Sequence, residues 1–246
     1  IDQLILGTAA AGRFNRGATV QRLLDECLRE GATAFDTAPL YGSGAMEAFL
    51  GRAIKSRGAG PEVTVNTKFG LTPNICFARP ERYYFLGKLA QAAGRQIGMK
   101  GKAPLSEITV CESAMASLER SIRHLGEGRV DVFFAHEVPV AVLMTPRFLE
   151  FIKHAKAQRL FRRFGLGGYR SHYPGSASRE FLNEVDVIQV DSVPGTPPSV
   201  PKDWPGEIFL HGVLAPMRHA SENTRPAVSA EDCFEEALNV QGASVL

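Results

Sequence analysis

The stretch 35–42 reads Phe35-Asp36-Thr37-Ala38-Pro39-Leu40-Tyr41-Gly42, and the pattern around it decides the fold. It ends a short apolar run that begins at Ala32, and it precedes a helical pattern from Gly44 to Ser56. An apolar run, a turn with proline and glycine, and a helix in this order are typical of one βα unit. Because the same order recurs along the chain at least seven times, the sequence predicts a parallel sheet rather than hairpins.

Apolar runs and helical periodicity together predict the elements of this sheet. The predicted strands are Leu4 to Thr8, Ala32 to Asp36, Val63 to Lys68, Val130 to Ala135, Phe164 to Gly168, Val187 to Asp191 and Ile208 to Leu214. The predicted helices are Thr19 to Glu30, Gly44 to Ser56, Val110 to Leu125, Pro146 to Ala157, Ser178 to Leu182 and Ser229 to Leu238. We expect Gly31 to end the first helix as a C-cap glycine. Residues Ala243 to Leu246 read as the start of an eighth strand that is cut short.

An open doubly wound sheet and a closed barrel share this alternation, so periodicity alone leaves both possible. The first βα turn reads Gly7-Thr8-Ala9-Ala10-Ala11-Gly12, whose glycine spacing differs from the dinucleotide fingerprint of an open sheet. In a barrel, polar residues from several strand ends meet at one face. Residues 70 to 105, which follow the third strand and contain many prolines and glycines, are expected to form a long loop over that face.

Length and composition narrow the function classes. The 246 residues are 44% hydrophobic and fit one barrel domain spanning 1–246. Lys and Arg number 28 against 26 for Asp and Glu, which favours a small-molecule partner over nucleic acid. Four widely spaced cysteines, with no metal-ligand spacing, membrane span or signal-peptide pattern, lead us to expect a cytoplasmic protein without a metal. The oligomeric state stays open, with a monomer favoured.

Four polar residues end or follow three successive predicted strands: Asp36, Tyr41, Lys68 and His136. A lysine at the end of an apolar strand needs water or a carboxylate, and Asp36 on the neighbouring strand is the natural partner. An ammonium beside a tyrosine hydroxyl favours the phenolate, so we expect Lys68 to lower the pKa of Tyr41. Tyr41 would then act as a general acid, and His136 would orient a substrate oxygen.

Taken singly, each of these four residues has a structural interpretation. Lys68 alone could be an exposed strand terminus, and Asp36-Thr37 could cap a turn. Tyr41 could be a packed loop aromatic, and His136 a solvated strand end. Their joint occurrence on consecutive strands favours the catalytic interpretation.

At these residues the sequence resembles the aldo-keto reductase family. The matching motifs are the stretch 35–44 with Glu47, Leu50 and Gly51 after it, Leu6-Gly7-Thr8, Thr67-Lys68, the helix from Ser117 to Leu125 with Val130-Asp131 after it, His136 and Gln189. The resemblance extends over essentially the whole chain. It implies a (β/α)8 TIM barrel, an α/β fold, whose eighth strand is truncated in this sequence.

The resemblance also implies an activity, namely hydride transfer between NADPH, or less often NADH, and an aldehyde, ketone or aldose. Asp36, Tyr41, Lys68 and His136 would be the catalytic tetrad. The form Asp36-Thr37-Ala38-Pro39 with Tyr41-Gly42 is similar to a branch that oxidises aldoses such as fucose or galactose. The implied cofactor-binding residues are Thr8, Asp36, Gly168, Gln189, His211, Gly212 and Leu214.

The sequence departs from the family pattern around the expected nicotinamide site. Gly168-Tyr169 stands where the family has a serine and an asparagine that hold the carboxamide. The string from His211 to Ala215 stands where a tyrosine stacks on the ring. The family's phosphate-binding arginine and asparagine follow the eighth strand. Two alternatives therefore stay open, a cofactor-binding or regulatory barrel without turnover and an unrelated barrel hydrolase or isomerase.

Overall fold

Eight strands and seven helices alternate in the part of the chain that the structure describes. The structure is a computed structural model, and it describes residues 4–58, 63–71, 82, 84–85, 107–168, 177–192, 200–201, 204–214, 229–239 and 243–245. The strands are β1 Leu6–Gly7, β2 Ala34–Asp36, β3 Thr64–Phe69, β4 Val130–His136, β5 Arg163–Gly167, β6 Val187–Asp191, β7 Glu207–His211 and β8 Ala243–Val245. The helices are α1 Gly17–Arg29, α2 Met46–Ser56, α3 Glu107–Leu125, α4 Val140–Leu143, α5 Pro146–Ala157, α6 Arg179–Leu182 and α7 Ala230–Leu238.

The strands form one parallel sheet in chain order from β1 to β8. Side chains of strands far apart in that order touch each other. Gln189 of β6 donates to Asp36 of β2 at 3.2 Å, and the rings of Phe134 in β4 and Phe209 in β7 lie 6.1 Å apart. Because three or more sheet positions separate these strands, the contacts require the sheet to curl round on itself. The predicted (β/α)8 barrel is therefore confirmed over the open sheet.

Most of the strands are apolar on both faces, as buried parallel strands are, whereas β3 carries the polar stretch Asn66-Thr67-Lys68. Inside the barrel, side chains from β4, β6 and β7 form a small apolar cluster with Ile5. On the outside a larger core packs the sheet against the helices, and Phe133 contributes to it while its neighbour Phe134 points inward. Because apolar side chains fill the middle of the barrel, polar side chains that face its interior lie mainly near the ends of the strands.

Most predicted boundaries agree with the structure to within two or three residues, and α5 and β6 have the predicted bounds. Thr145 caps α5 by accepting from the Phe148 amide, with Pro146 at the first helical position. Gly31, at φ +96°, follows the end of α1 as expected. The prediction for β7 was too long, because Gly212 has a φ of +73° and turns the chain out of the sheet after His211.

The truncated eighth strand of the prediction corresponds to β8, which pairs with β7 from Ala243 to Val245. The short helix α4 has no counterpart in the prediction, since its four residues are too few for helical periodicity to show. Most of the loop expected at 70 to 105 lies outside the described residues, as does Tyr169. In the described residues we find no helix with the length and apolar character needed to cross a membrane.

Candidate active site

The carboxyl ends of the strands surround a cavity of about 760 Å³. Asp36 ends β2, His136 ends β4 and His211 ends β7, and all three line this cavity. Tyr41, in the turn after β2, and Gln189, in β6, also line it. The volume lies in the range of small-molecule sites, and this end of a barrel is where such sites are found.

A buried ion pair lies at the base of the site. Lys68 Nζ lies 2.5 Å from Asp36 Oδ2, and the two residues are only 1% and 4% exposed. Gln189 Nε2 donates to the same Asp36 oxygen, at 3.2 Å. Burial lowers the pKa of Lys68, and the Asp36 carboxylate opposes that effect. The pair expected from the sequence is therefore present, and its contacts fix the Asp36 carboxylate from two sides.

Tyr41 lies in a tight turn beside this pair. It begins a short 3-10 segment, Tyr41–Gly44, in which Gly42 and Ser43 both have left-handed backbone, at φ 56° and 58°. The Lys68 ammonium lies 5.8 Å from the centroid of its ring. Burial and the charge of Asp36 raise the pKa of the Tyr41 hydroxyl well above its usual value of 10. The expectation of a lowered pKa was wrong, because Lys68 is engaged by Asp36 and burial disfavours the phenolate.

His136 is held neutral by its surroundings. Burial, followed by the charges of Lys68 and His211, lowers the pKa of its ring to about 3. Its Nδ1 is buried and has no hydrogen-bond partner among the described residues. Buried N–H groups without a partner are rarer in proteins than buried acceptors without one. The unpaired Nδ1 is therefore assigned as the acceptor nitrogen of the neutral ring. The ring can therefore carry its proton on Nε2 and donate it to a substrate oxygen.

Gly168 explains one departure from the family pattern. Its backbone is left-handed, at φ +87°, and it lines the cavity directly after β5. A Cβ at this position would lie 2.8 Å from Glu137 Cγ and 3.0 Å from His136 Cδ2. A serine here would therefore push against the His136 ring. The observed position of His136 thus favours glycine at 168.

We expect Gly168→Ala to lower turnover by displacing His136. The left-handed backbone alone costs about 1–2 kcal/mol with any side chain, and the methyl group adds the clash with the imidazole. Gly128→Ala is the matched control, because Gly128 is also left-handed, at φ +70°, but a Cβ there would meet nothing within 4 Å. Melting temperatures should fall in both variants, whereas kcat should fall only in Gly168→Ala. An unchanged kcat in Gly168→Ala would show that His136 tolerates the shift.

The sequence profile of the Aldo/keto reductase family matches residues 3–192. The chain belongs to this family. Membership in this family supports an oxidoreductase. The matched region contains Asp36, Tyr41, Lys68, His136 and Gln189, and it ends before β7. No protein in a curated collection matches the sequence.

Solved structures of aldo-keto reductases share the fold. A thermostable aldo-keto reductase in complex with the inhibitor epalrestat has a TM-score of 0.65 at 16% identity, covering 100% of this chain and 84% of that one. The holo form of an aldo-keto reductase from Bacillus halodurans has a TM-score of 0.65 at 18% identity, covering 99% and 80%. A glycerol dehydrogenase from Gluconobacter oxydans has a TM-score of 0.62 at 19% identity, covering 94% and 65%. At these identities the likeness supports the barrel alone.

In this aldo/keto reductase chain, six of the seven residues expected to bind cofactor line the cavity: Asp36, Gly168, Gln189, His211, Gly212 and Leu214. Thr8 is the exception. It is 1% exposed, and its amide and hydroxyl both donate to the Asp36 carbonyl, at 2.9 and 3.0 Å. Thr8 therefore holds the end of β2 in place.

Sequence reasoning assigned no substrate-binding or cofactor-binding role to two acidic residues at the mouth of the barrel. Asp191 ends β6, pairs in register with His211, and lies 3.1 Å from its Nδ1. Glu137 follows His136 and has a left-handed backbone, at φ 55°, which is uncommon for a residue with a side chain. Both line the cavity. Their position at strand ends was a usable signal for both, whereas the backbone strain at Glu137 has no signature in the sequence.

Proposed function

We propose that the protein is an NAD(P)(H)-dependent oxidoreductase that transfers a hydride between nicotinamide and a carbonyl or alcohol substrate. The observation that carries this proposal is the buried Lys68–Asp36 pair beside Tyr41, at a cavity lined by Asp36, Tyr41 and a neutral His136. In this proposal Asp36, Tyr41, Lys68 and His136 are the catalytic residues. Family membership supports the class of reaction.

The residues at the cavity wall fit a nicotinamide ring. A Cβ at Gly212 would meet nothing within 4 Å, so this part of the wall is open. His211 offers an aromatic face for stacking, and Asp191 holds its orientation. Gln189 uses its Nε2 on Asp36, which leaves Oε1 as an acceptor for a carboxamide N–H. When bound, the cofactor would supply the hydride. NADPH is the favoured form, with NADH as the alternative.

Tyr41 would supply the proton that accompanies carbonyl reduction. The hydroxyl is protonated at neutral pH and can donate to a carbonyl oxygen, but its raised pKa makes it a weaker acid than a free tyrosine. The Lys68 ammonium, 5.8 Å from the centroid of the Tyr41 ring, would then stabilise the phenolate that remains. Neutral His136 would donate a hydrogen bond to the same substrate oxygen and orient it.

The charges at the mouth of the cavity favour a substrate with several hydroxyl groups, such as an aldose. Glu137 is exposed there, and Asp191 and Arg13 also line the cavity. Carboxylates and guanidinium groups bind hydroxyls through charge-assisted hydrogen bonds, while an aliphatic aldehyde gains nothing from them. An aldose is therefore the proposed substrate class, with simple aldehydes and ketones as poorer substrates.

We expect Glu137→Gln to lower kcat/KM for aldoses by about tenfold, because a charge-assisted hydrogen bond to a sugar hydroxyl is replaced by a weaker neutral one. The kcat/KM for an unsubstituted aliphatic aldehyde should change little. Glu150→Gln, an exposed glutamate on α5, is the control for a general charge effect. Steady-state kinetics with both substrate types measure the difference, and an equal loss for both would exclude Glu137 from sugar recognition.

Binding of the cofactor is tested separately from turnover, by the change in nicotinamide fluorescence when NADPH or NADH is titrated with protein. We expect a saturable signal with at least one of them. Absence of binding by either would refute the proposed function. Tight binding without turnover would favour the cofactor-binding or regulatory barrel.

A further inference from the structure

A buried polar cluster lies behind β3, on the side of the strand away from the cavity. It consists of Glu47 from α2, Thr67 from β3, and Ser117 and Ser121 from α3, and none is more than 5% exposed. All four sit between the sheet and the helices, where apolar side chains form the rest of the interface. We refer to them as the outer polar cluster.

Glu47 is the centre of this cluster. Its Oε1 accepts from the Thr67 hydroxyl at 2.7 Å and from the Ser121 hydroxyl at 2.6 Å. The Ser117 hydroxyl donates to the backbone carbonyl of Lys68, at 3.1 Å. One carboxyl oxygen therefore connects α2, β3 and α3 directly behind the residue that bears the buried ammonium.

A carboxyl group is a costly choice for this place. Burying polar and ionised groups between a helix and a sheet is unfavourable unless hydrogen bonds compensate, and apolar residues of similar size often give equal or better stability. The first turn of α2 recovers part of the cost, because a helix N-terminus favours a carboxylate. Stability alone gives little reason for a glutamate at position 47, which points to a role for the outer polar cluster in holding its neighbours.

It holds the peptide that carries Lys68. Side chains alternate along a strand, so Thr67 points out to the cluster while Lys68 points in to Asp36. Lys68 is thus fixed at three points: its ammonium by Asp36, its carbonyl by Ser117, and the preceding residue by Glu47. We propose that Glu47 is a positioning residue that aligns Lys68 with Asp36 and Tyr41 through Thr67. This inference rests on the proposed function for its catalytic meaning.

Two matched pairs of variants test the alignment. Glu47→Gln keeps an acceptor oxygen and should retain activity, whereas Glu47→Leu removes it and should lower kcat on the order of tenfold to a hundredfold. Thr67→Ser and Thr67→Val form the second pair, in which only Thr67→Val should lose kcat. This pair tests the proposal even if Glu47→Leu does not fold. KM should change little. The pH profile for alcohol oxidation should move upward in the Leu and Val variants, because a displaced Lys68 stabilises the Tyr41 phenolate less.

A readout independent of turnover separates this inference from the proposed function. The NMR signal of the Lys68 side chain, assigned by its loss in Lys68→Met, should shift in Glu47→Leu and stay in place in Glu47→Gln. An unmoved Lys68 signal in Glu47→Leu overturns the positioning role, whether or not the wild type turns over. If the Lys68 signal shifts in Glu47→Leu but the wild type shows no turnover, the positioning role stands and the proposed reaction is overturned. An altered melting temperature with unchanged kcat, pH profile and Lys68 signal would assign Glu47 a purely structural role.

Discussion

Tyr41→Phe is expected to lower kcat for carbonyl reduction by roughly 10²- to 10⁴-fold, the usual contribution of a positioned general acid. The substitution removes one oxygen and keeps the ring, which packs against the core beside α1 and α2. Affinity for the cofactor should change little, because Tyr41 is one of many groups around the cavity. Steady-state kinetics and a cofactor titration on the same preparation measure the two effects.

Tyr84→Phe is the matched control for this experiment. Its hydroxyl lies within bonding distance of the Gly12 and Phe14 carbonyls, at 3.0 and 2.8 Å, and Tyr84 is not part of the cavity that Tyr41 lines. The variant should lose about 1 kcal/mol of stability, the net value of one hydrogen bond, and keep its kcat. Equal kinetic losses in the two variants would point to a general effect of destabilisation, and full turnover in Tyr41→Phe would remove Tyr41 from the mechanism.

Lys68→Met should abolish turnover and also destabilise the fold by about 3–5 kcal/mol, the cost of leaving one partner of a buried ion pair alone. The Asp36 carboxylate would remain buried beside Tyr41 without its cation. Since the charge of Asp36 already raises the pKa of Tyr41, removal of Lys68 would raise it further and make the hydroxyl a weaker proton donor. Chemical denaturation gives the stability, and kcat gives the catalytic effect.

The double variant Lys68→Met with Asp36→Leu separates these two effects. An apolar pair in place of a buried ion pair is often neutral or stabilising, so most of the lost stability should return. Turnover should not return, because both charged groups are needed beside Tyr41. Recovered stability together with recovered turnover would mean that the pair serves the fold alone.

The order of elements could be predicted from the sequence, because apolar runs and helical periodicity are local signals. Pro146–Ala157 was predictable to the residue, since Thr145 and Pro146 mark its start. The closure of the sheet into a barrel could not be predicted from these local signals. It depends on contacts such as Gln189 with Asp36, which join residues 153 positions apart.

Within the site, the sequence indicated which residues meet but not their electrostatics. Lys68 and Asp36 could be paired in advance, because an apolar strand leaves a lysine no other partner nearby. The direction of the Tyr41 pKa shift could not be predicted from the sequence, since it depends on how deeply the hydroxyl is buried and on which group the Lys68 ammonium binds. Thr8 was predicted to bind the cofactor because it lies in the Leu6-Gly7-Thr8 motif. In the structure its hydroxyl donates to the Asp36 carbonyl instead.

The most direct test of the account follows absorbance at the reduced nicotinamide band, with purified protein, NADPH or NADH, and a panel of aldehydes, quinones and aldoses run in both directions. We predict turnover with at least one substrate, greatest with an aldose, and its loss in Tyr41→Phe. Saturable cofactor binding without turnover on any substrate would contradict the account and favour a regulatory barrel.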